Sequence, residues 1–359
     1  MKKIYKTIVF SLILTLFSIM IFNQNNFNVV AYTNSVSEII MDVNSGRVLF
    51  ENNAYEKKYM ASTTKILTAI CIIENCNISD VITVTDKTVG VEGSSIYLEV
   101  GEKLSVKDLL YGLMLRSGND CAETLAVYCS GSIEKFSLLM NETAKKIGAL
   151  NSNFVNPHGL HNDNHYTTAY DLALISRYAL KNQDFRSIVA TKAVKIPFTT
   201  KNYDRYLTNK NKMLKEFDGA NGIKTGYTKK AGRCLVSSCL RNGLELICVV
   251  LNCPPMFERS KHLLTQSFDS YNNYKIVESD NIIDFVNVKN RDKTCGIYIK
   301  NDIILPLKDS EYADINVQYD YAQQLAAPIK KDSEVGFVKI YVQNKLIFKE
   351  KIYTIIDIE

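Results

Sequence analysis

The sequence predicts an α/β (α+β) protein: one antiparallel sheet flanked by helices, followed by a small all-β domain. Three observations predict it. Strand-like alternation appears near residue 40 and again near residue 240. Between them, apolar residues recur at helical spacing. After Tyr274, short alternating segments separated by Asn, Asp, Lys and Gly take over. A sheet whose strands come from both ends of a domain, with the intervening helices packed on it, accommodates the first two.

The elements follow in order. Met1, Lys2 and Lys3 open a basic stretch, Ile8 to Phe22 form an apolar run broken only by hydroxyls, and Val29-Val30-Ala31 offers small residues for cleavage after Ala31. Residues 1–31 read as a secretory signal peptide, since a run of roughly 15 residues is short of the ~20 that span a bilayer. The expected location is therefore extracytoplasmic, in the cell envelope or secreted. Ser37 to Phe50 alternate around Asn44-Ser45-Gly46, a hairpin signal. Ser62 opens a helical run through Ile66, Leu67, Ala69, Ile70 and Ile73. Leu109 to Tyr128, Ser132 to Ile147 and Thr168 to Leu180 read as further helices. Cys234 to Ser238 and Leu244 to Leu251 flank Arg241-Asn242-Gly243, a second hairpin. The expected domains are 36–273 and 277–359. In the second, Val338 to Val342 and Leu346 to Phe348 form a hairpin around Gln343-Asn344-Lys345, and Ile352 to Glu359 reads as a strand.

Composition narrows the classes. Hydrophobic residues make up 46% and charged residues 23%, as in an ordinary globular protein. The net charge is +5, and the first 31 residues hold Lys2, Lys3 and Lys6 and no acid, so a chain cleaved after Ala31 carries +2. With no clustered basic stripe, nucleic acid is not an expected partner. The nine cysteines are an odd number, so at least one thiol is unpaired within the chain. None has the C-x2-C spacing of a zinc site, and most sit in apolar runs, so they are expected as buried small side chains.

Three motifs carry the chemistry: Ser62-Thr63-Thr64-Lys65, Ser117-Gly118-Asn119 and Lys224-Thr225-Gly226. Each alone occurs by chance. Their order, spacing and local setting are specific. A serine hydroxyl is a poor nucleophile until a base takes its proton, and on a helix residues i and i+3 share a face, so Lys65 reaches Ser62. To act as base Lys65 must be neutral, which burial and a second cation such as Lys224 would favour. Ser117 is placed to relay a proton to the leaving group. Asn119 can bond both Lys65 and a substrate amide. Lys224 and Thr225 can bind a terminal carboxylate, and Gly226 lets a substrate backbone approach. The backbone N–H groups of Ser62 and Tyr227 would form an oxyanion hole. His158, His161 and His165 have a spacing compatible with zinc, but the acidic partner of an H-E-x-x-H site is missing, so no metal and no cofactor are expected.

With these motifs the chain resembles the D-alanyl-D-alanine carboxypeptidases, the low-molecular-mass penicillin-binding proteins. The likeness runs from Tyr59 to Ala69 and Leu115 to Asp120, through Phe154 to Leu160 and Thr168 to Ala173, to Asn209–Asn211, Gly222–Thr228 and Ala231-Gly232. It implies a β-lactamase/transpeptidase-like catalytic domain and an acyl-enzyme on Ser62. The implied substrate is a peptidoglycan stem peptide ending in D-Ala-D-Ala, and β-lactams are implied acylating inhibitors. It also suggests Arg259 as a second binder of the substrate carboxylate. The chain departs from many relatives in having no amphipathic helix after Ile352, which leaves membrane association open.

Three alternatives share part of the pattern. A class A β-lactamase adds a glutamate in an E-x-x-L-N setting, but here Leu150-Asn151 follows Ile147 and Leu251-Asn252 follows Cys248. A non-catalytic penicillin- or wall-binding protein would not need the intact trio. A D,D-endopeptidase acting on cross-links is excluded by no residue.

Overall fold

The alternating segment Ser37 to Phe50 folds as the expected hairpin. Strands β1 (Ser37–Asp42) and β2 (Val48–Asn52) pair antiparallel with Ile40 opposite Phe50. Gly46 takes the turn at φ 77°, a conformation that a Cβ disfavours. The computed structural model describes residues 36–279 and 281–359. The signal-peptide reading of residues 1–31 lies outside the described residues.

Helix α1 (Lys65–Asn75) is buried continuously from Lys65 to Ile72, as a helix in the centre of a domain must be. It starts later than the sequence suggests. Residues Ala61–Thr64 form a single 3-10 turn in front of it. Thr63 and Thr64 donate their hydroxyls back to the Met60 and Ala61 carbonyls, at 2.6 and 2.8 Å, and do not cap the helix. Strands β3 (Val81–Thr83) and β4 (Lys103–Ser105) then pair, and Ser105 with Asp108 forms a capping box on helix α2 (Val106–Tyr111).

The single helix expected over Leu109 to Tyr128 is broken in two. After α2 the chain makes a π-turn, Gly112–Arg116, and Ser117 turns left-handed at φ 65° before α3 (Asn119–Ser130) begins. One left-handed residue ends a helix without disturbing its apolar periodicity, so the pattern did not reveal it. The freed amides find partners: Gly118 N donates to Gly112 O at 3.1 Å and Asn119 N to Ser94 O at 2.7 Å.

Helices α4 (Ile133–Ile147), α5 (Ala169–Ala179) and α6 (Gln183–Ala190) start on side-chain caps from Ser132, Thr168 and Asn182. A hairpin of β5 (Ala193–Ile196) and β6 (Arg205–Thr208) and a short helix α7 (Met213–Glu216) lead to β7 (Ala220–Thr228), β8 (Gly232–Arg241) and β9 (Leu244–Leu251). Asn242 and Gly243 both take positive φ in the β8–β9 turn, as a two-residue hairpin requires. The sheet order is β2-β1-β9-β8-β7, so strands from both ends of the segment do meet, and β7 is an edge. Ile39, Met41, Ile247 and Val249 point to the face that shares a core with α1. Helix α8 (Met256–Ser270) packs against β8 and β9 on the other face.

Beyond α8 the chain is β-rich. Strands β10 (Asn272–Val277), β11 (Asp284–Val288), β12 (Thr294–Tyr298) and β13 (Ile303–Leu307) are followed by a one-turn helix α9 (Asp309–Ala313). Then come β14 (Ile315–Tyr321), β15 (Gln324–Leu325), β16 (Glu334–Val342) and β17 (Lys345–Thr354). Six of them form one sheet in the order β14-β16-β17-β12-β11-β15, and β10 pairs with β13. Val286, Ile297, Leu305, Val338 and Ile352 belong to a second hydrophobic core, separate from the first. Arg47 in the β1–β2 turn pairs with Glu311 of α9 at 2.6 Å and also donates to the Pro306 carbonyl, tying the first sheet to this part.

All nine cysteines are free thiols, seven of them buried and Cys76 and Cys129 half-buried. No helix among the described residues is long and apolar enough to cross a membrane.

One buried ion pair holds the segment that will cover the site. Arg205 of β6 pairs through both guanidinium nitrogens with Glu102, whose side chain is fully buried, and donates to the carbonyls of Ile96 (3.0 Å) and Tyr97 (2.8 Å). Removing one partner of such a pair leaves the other charge buried alone, which costs about 3–5 kcal/mol. Glu102→Ala is expected to lower unfolding stability by that amount, measured by urea denaturation. A loss under 1 kcal/mol would show the pair to be solvated.

Candidate active site

The site forms where the turn before α1, the break before α3 and the edge strand β7 converge. Ser62 is half-buried in the 3-10 turn, in which residues three apart eclipse each other, so Lys65 stands directly over it. Lys65 is fully buried. Its Nζ lies 3.2 Å from Ser62 Oγ, 2.7 Å from Asn119 Oδ1 and 2.7 Å from the His158 carbonyl. Burial, then the nearby Lys224 ammonium, hold the Lys65 amine well below the ordinary lysine range. A neutral amine has two N–H groups and one lone pair. In that form Asn119 and His158 would take the two hydrogens and leave the lone pair for the Ser62 hydroxyl.

Each partner is positioned by a local feature. The left-handed Ser117 turns the chain so that Asn119 begins α3 facing Lys65. Asn119 Nδ2 donates to Glu92 O at 2.6 Å, leaving its second N–H for a ligand. Ser117 Oγ is buried with no hydrogen-bond partner among the described residues. The His158 carbonyl arrives on a loop whose next residue, Gly159, sits at φ 87°. A Cβ there would come within 1.9 Å of Ala61 O. Asp120 holds the covering segment, accepting from Ser95 Oγ (2.5 Å), Ile96 N (3.2 Å) and Leu98 N (3.1 Å).

Strand β7 supplies the third motif. Lys224 is 1% exposed and donates to Thr225 O at 3.0 Å. Burial and the Lys210 charge lower its pKa to about 7. A Cβ on Gly226 would stand 3.1 Å from Ser62 N and 3.0 Å from Met60 O, so the bare strand lies against the turn that carries Ser62. Tyr227 is exposed, with the Arg233 guanidinium 5.6 Å from its ring centre.

One residue belongs to this constellation that the motifs do not contain. Lys210 lowers the pKa of both Lys65 and Lys224, and its Nζ is 3.2 Å from Ser94 Oγ. It is held there because Lys210 N donates to Leu115 O, while Asn211 Nδ2 donates to Gly222 O at 2.9 Å. Its position inside Asn209–Asn211 was a sequence signal, but nothing in that signal assigns it a charge role.

Arg259 is a correction. In β1, Ile39 and Met41 face the core that holds α1, so by alternation Glu38 faces away from it. Arg259, on α8, donates to Glu38 there, at 2.7 and 2.8 Å. Its guanidinium is committed to a buried carboxylate on the far face of the sheet, so the structure does not bring it to Ser62.

The three histidines diverge. His165 accepts from Val155 N through Nδ1, so its Nε2–H faces Thr64 Oγ1 at 2.8 Å, and burial lowers its pKa to about 3. His158 accepts from Leu160 N through Nδ1, and its Nε2 faces Glu123 at 3.3 Å. His161 faces Asp163 at 3.3 Å and meets the Tyr59 ring edge-on. Among the described residues no group of His, Cys, Asp and Glu could hold a metal ion.

A serine and a buried lysine, with a second serine and a cationic edge strand, define a serine acyl-transfer site. The family D-alanyl-D-alanine carboxypeptidase, peptidase S11, matches residues 25–254, and the penicillin-binding protein 5 C-terminal domain matches residues 271–359. The chain belongs to this family of serine peptidases. It is 31% identical over 312 residues to D-alanyl-D-alanine carboxypeptidase DacF of Bacillus subtilis, covering 84% of this chain and 79% of that protein. To DacC of Escherichia coli it is 32% identical, covering 89% and 83%. Penicillin-binding protein 5 of Haemophilus influenzae has the same fold, with a TM-score of 0.78 at 26% identity, covering 89% of this chain and 96% of that one.

The Lys224 charge lowers the Lys65 pKa, so removing it must raise that pKa. A lysine acting as base for Ser62 must be neutral, and the neutral form is lost as pH falls. In Lys224→Met the acidic limb of the pH profile for acylation by penicillin is expected to move to higher pH. An unmoved limb would show that Lys224 does not tune the base.

Proposed function

We propose that the protein is a D-Ala-D-Ala carboxypeptidase that removes the terminal D-alanine from peptidoglycan stem peptides through an acyl-enzyme on Ser62. The observation that carries this reading is the contact of the buried Lys65 Nζ with Ser62 Oγ, with Asn119 Oδ1 and the His158 carbonyl accepting from the same nitrogen. Lys65 takes the hydroxyl proton as Ser62 Oγ bonds to the carbonyl carbon. The backbone N–H groups of Ser62 and Tyr227 stabilise the oxyanion. Ser117, the buried hydroxyl without a protein partner, passes the proton from Lys65 to the leaving nitrogen. The carbon–nitrogen bond breaks, D-alanine leaves, and water hydrolyses the ester with Lys65 again as base.

Lys224 and Thr225 bind the substrate's terminal carboxylate, and Lys210 adds a second positive charge on that side. With Lys224 near pH 7 in pKa, carboxylate binding weakens as pH rises above neutrality and Lys224 loses its proton. β-Lactams acylate the same serine. The substrate lies in the cell wall, so the protein acts outside the cytoplasmic membrane, delivered there by a signal peptide over residues 1–31.

The expected outcome is D-alanine release from a peptide ending in D-Ala-D-Ala, with loss of both this release and fluorescent-penicillin labelling in Ser62→Ala. Labelling that survives the substitution would overturn the assignment. Fast turnover of penicillin without D-alanine release would assign a β-lactamase instead.

A further inference from the structure

The cations of the site set the direction in which a peptide lies. Lys224 and Lys210 collect the C-terminal carboxylate on one side of Gly226, so the rest of the peptide must leave on the other side, past Tyr227 and Thr228. Strand β7 is the edge of the sheet, and an extended peptide can run along it. That path reaches the β7–β8 turn, where the segment just before the nucleophile forms the opposite wall. Cys234 Sγ lies 3.8 Å from Tyr59 O and 3.7 Å from Ala231 O, which fixes the two walls side by side.

Between them opens a pocket of about 410 Å³ lined by Lys57, Lys58, Tyr59, Asp163, Tyr166 and Lys230 among others. Lys58 is occupied by Glu56 at 2.8 Å. Asp163 is turned to the Tyr59 hydroxyl and to His161. Lys57 lies 4.5 Å over the Tyr166 ring. Neither Lys57 nor Lys230 makes an ion pair with any described residue. Two ammonium groups without a carboxylate, beside tyrosine hydroxyls, are the chemistry of an anion subsite. Strand β7 stays extended from Gly226 to Thr228, roughly 7 Å, and the turn that follows carries Lys230 further along the same path.

We infer that this pocket is a specificity subsite for a carboxylate carried by the peptide substrate about three residues to the N-terminal side of the scissile bond. This inference rests on the proposed reading of Ser62. Lys57 and Lys230 bind the carboxylate, and Tyr166 orients Lys57 through its ring.

The test uses two peptides ending in D-Ala-D-Ala that differ only in Glu or Gln at that upstream position. D-alanine release by the wild-type protein is expected to favour the Glu peptide by about fivefold in kcat/KM, and the preference should shrink as salt is added. In Lys57→Gln/Lys230→Gln the ratio should fall to about one, and in Lys57→Glu/Lys230→Glu it should invert. Turnover of the Gln peptide by each variant reports that it is folded, and the salt titration needs no variant. Equal turnover of the two peptides by the wild-type protein overturns the inference, as does a double variant that keeps the preference. If added free acetate accelerates both peptides alike, the pocket takes a separate anion and the substrate subsite is wrong. Failure of the underlying reading looks different: no D-alanine from either peptide and no penicillin label on Ser62.

Discussion

The burial of one amine organises this protein. A lysine side chain inside a fold is costly while charged, and Lys65 is fully buried on a helix that is itself buried. The structure answers by favouring the neutral form. Two acceptors, Asn119 Oδ1 and the His158 carbonyl, take its two hydrogens, and the Lys224 and Lys210 charges oppose a third. The same nitrogen lies 3.2 Å from a serine hydroxyl, which a neutral amine can accept from. The strain needed to assemble these partners is local and visible. Ser117 is left-handed, and Gly159 presses against Ala61 O where no other residue would fit. These two positions deliver Asn119 and His158 from elements distant in the chain.

The rest of the scaffold serves the same constraint from further away. Asp120 and the Arg205–Glu102 pair pin the segment around Ser95 to Leu98 over the site, which supplies the Glu92 and Ser94 carbonyls that fix Asn119. Sheet order places β7 at the edge, with no strand on its outer side among the described residues, while Gly226 seats it against Ser62 N. The far face of the same sheet is closed by α8, and there Arg259 neutralises Glu38, a buried acid that would otherwise stand alone. That arginine is structural in its contacts, although its place in the chain suggested otherwise.

Much of the fold was legible from pattern. The β1–β2, β8–β9 and β16–β17 hairpins follow from alternation around turns whose positive-φ positions are Gly46, Asn242 with Gly243, and Gln343 with Asn344, a strictly local requirement. The break at Ser117 was not legible, because its cause lies in what surrounds it: the Gly112 and Ser94 carbonyls that receive the amides it frees. Lys210 was hidden for the same reason. Nothing marks it off from other lysines until Asn211 is bonded to Gly222 and the loop is drawn toward Lys224.

Residue order alone singles out the candidate groups: a serine three residues before a lysine, a second serine with an asparagine, and a lysine-bearing strand with a glycine where the backbone must approach. Those are fixed by residue type and by the short periods of helix and strand. Which charges act together depends on how the fold packs them. Whether the Lys65 amine is held low, whether Lys210 joins it and whether Arg259 does not are matters of burial and distance between elements up to 221 residues apart. Coulomb energy depends on separation in space and on the exclusion of water, and neither is written in the order of residues along the chain.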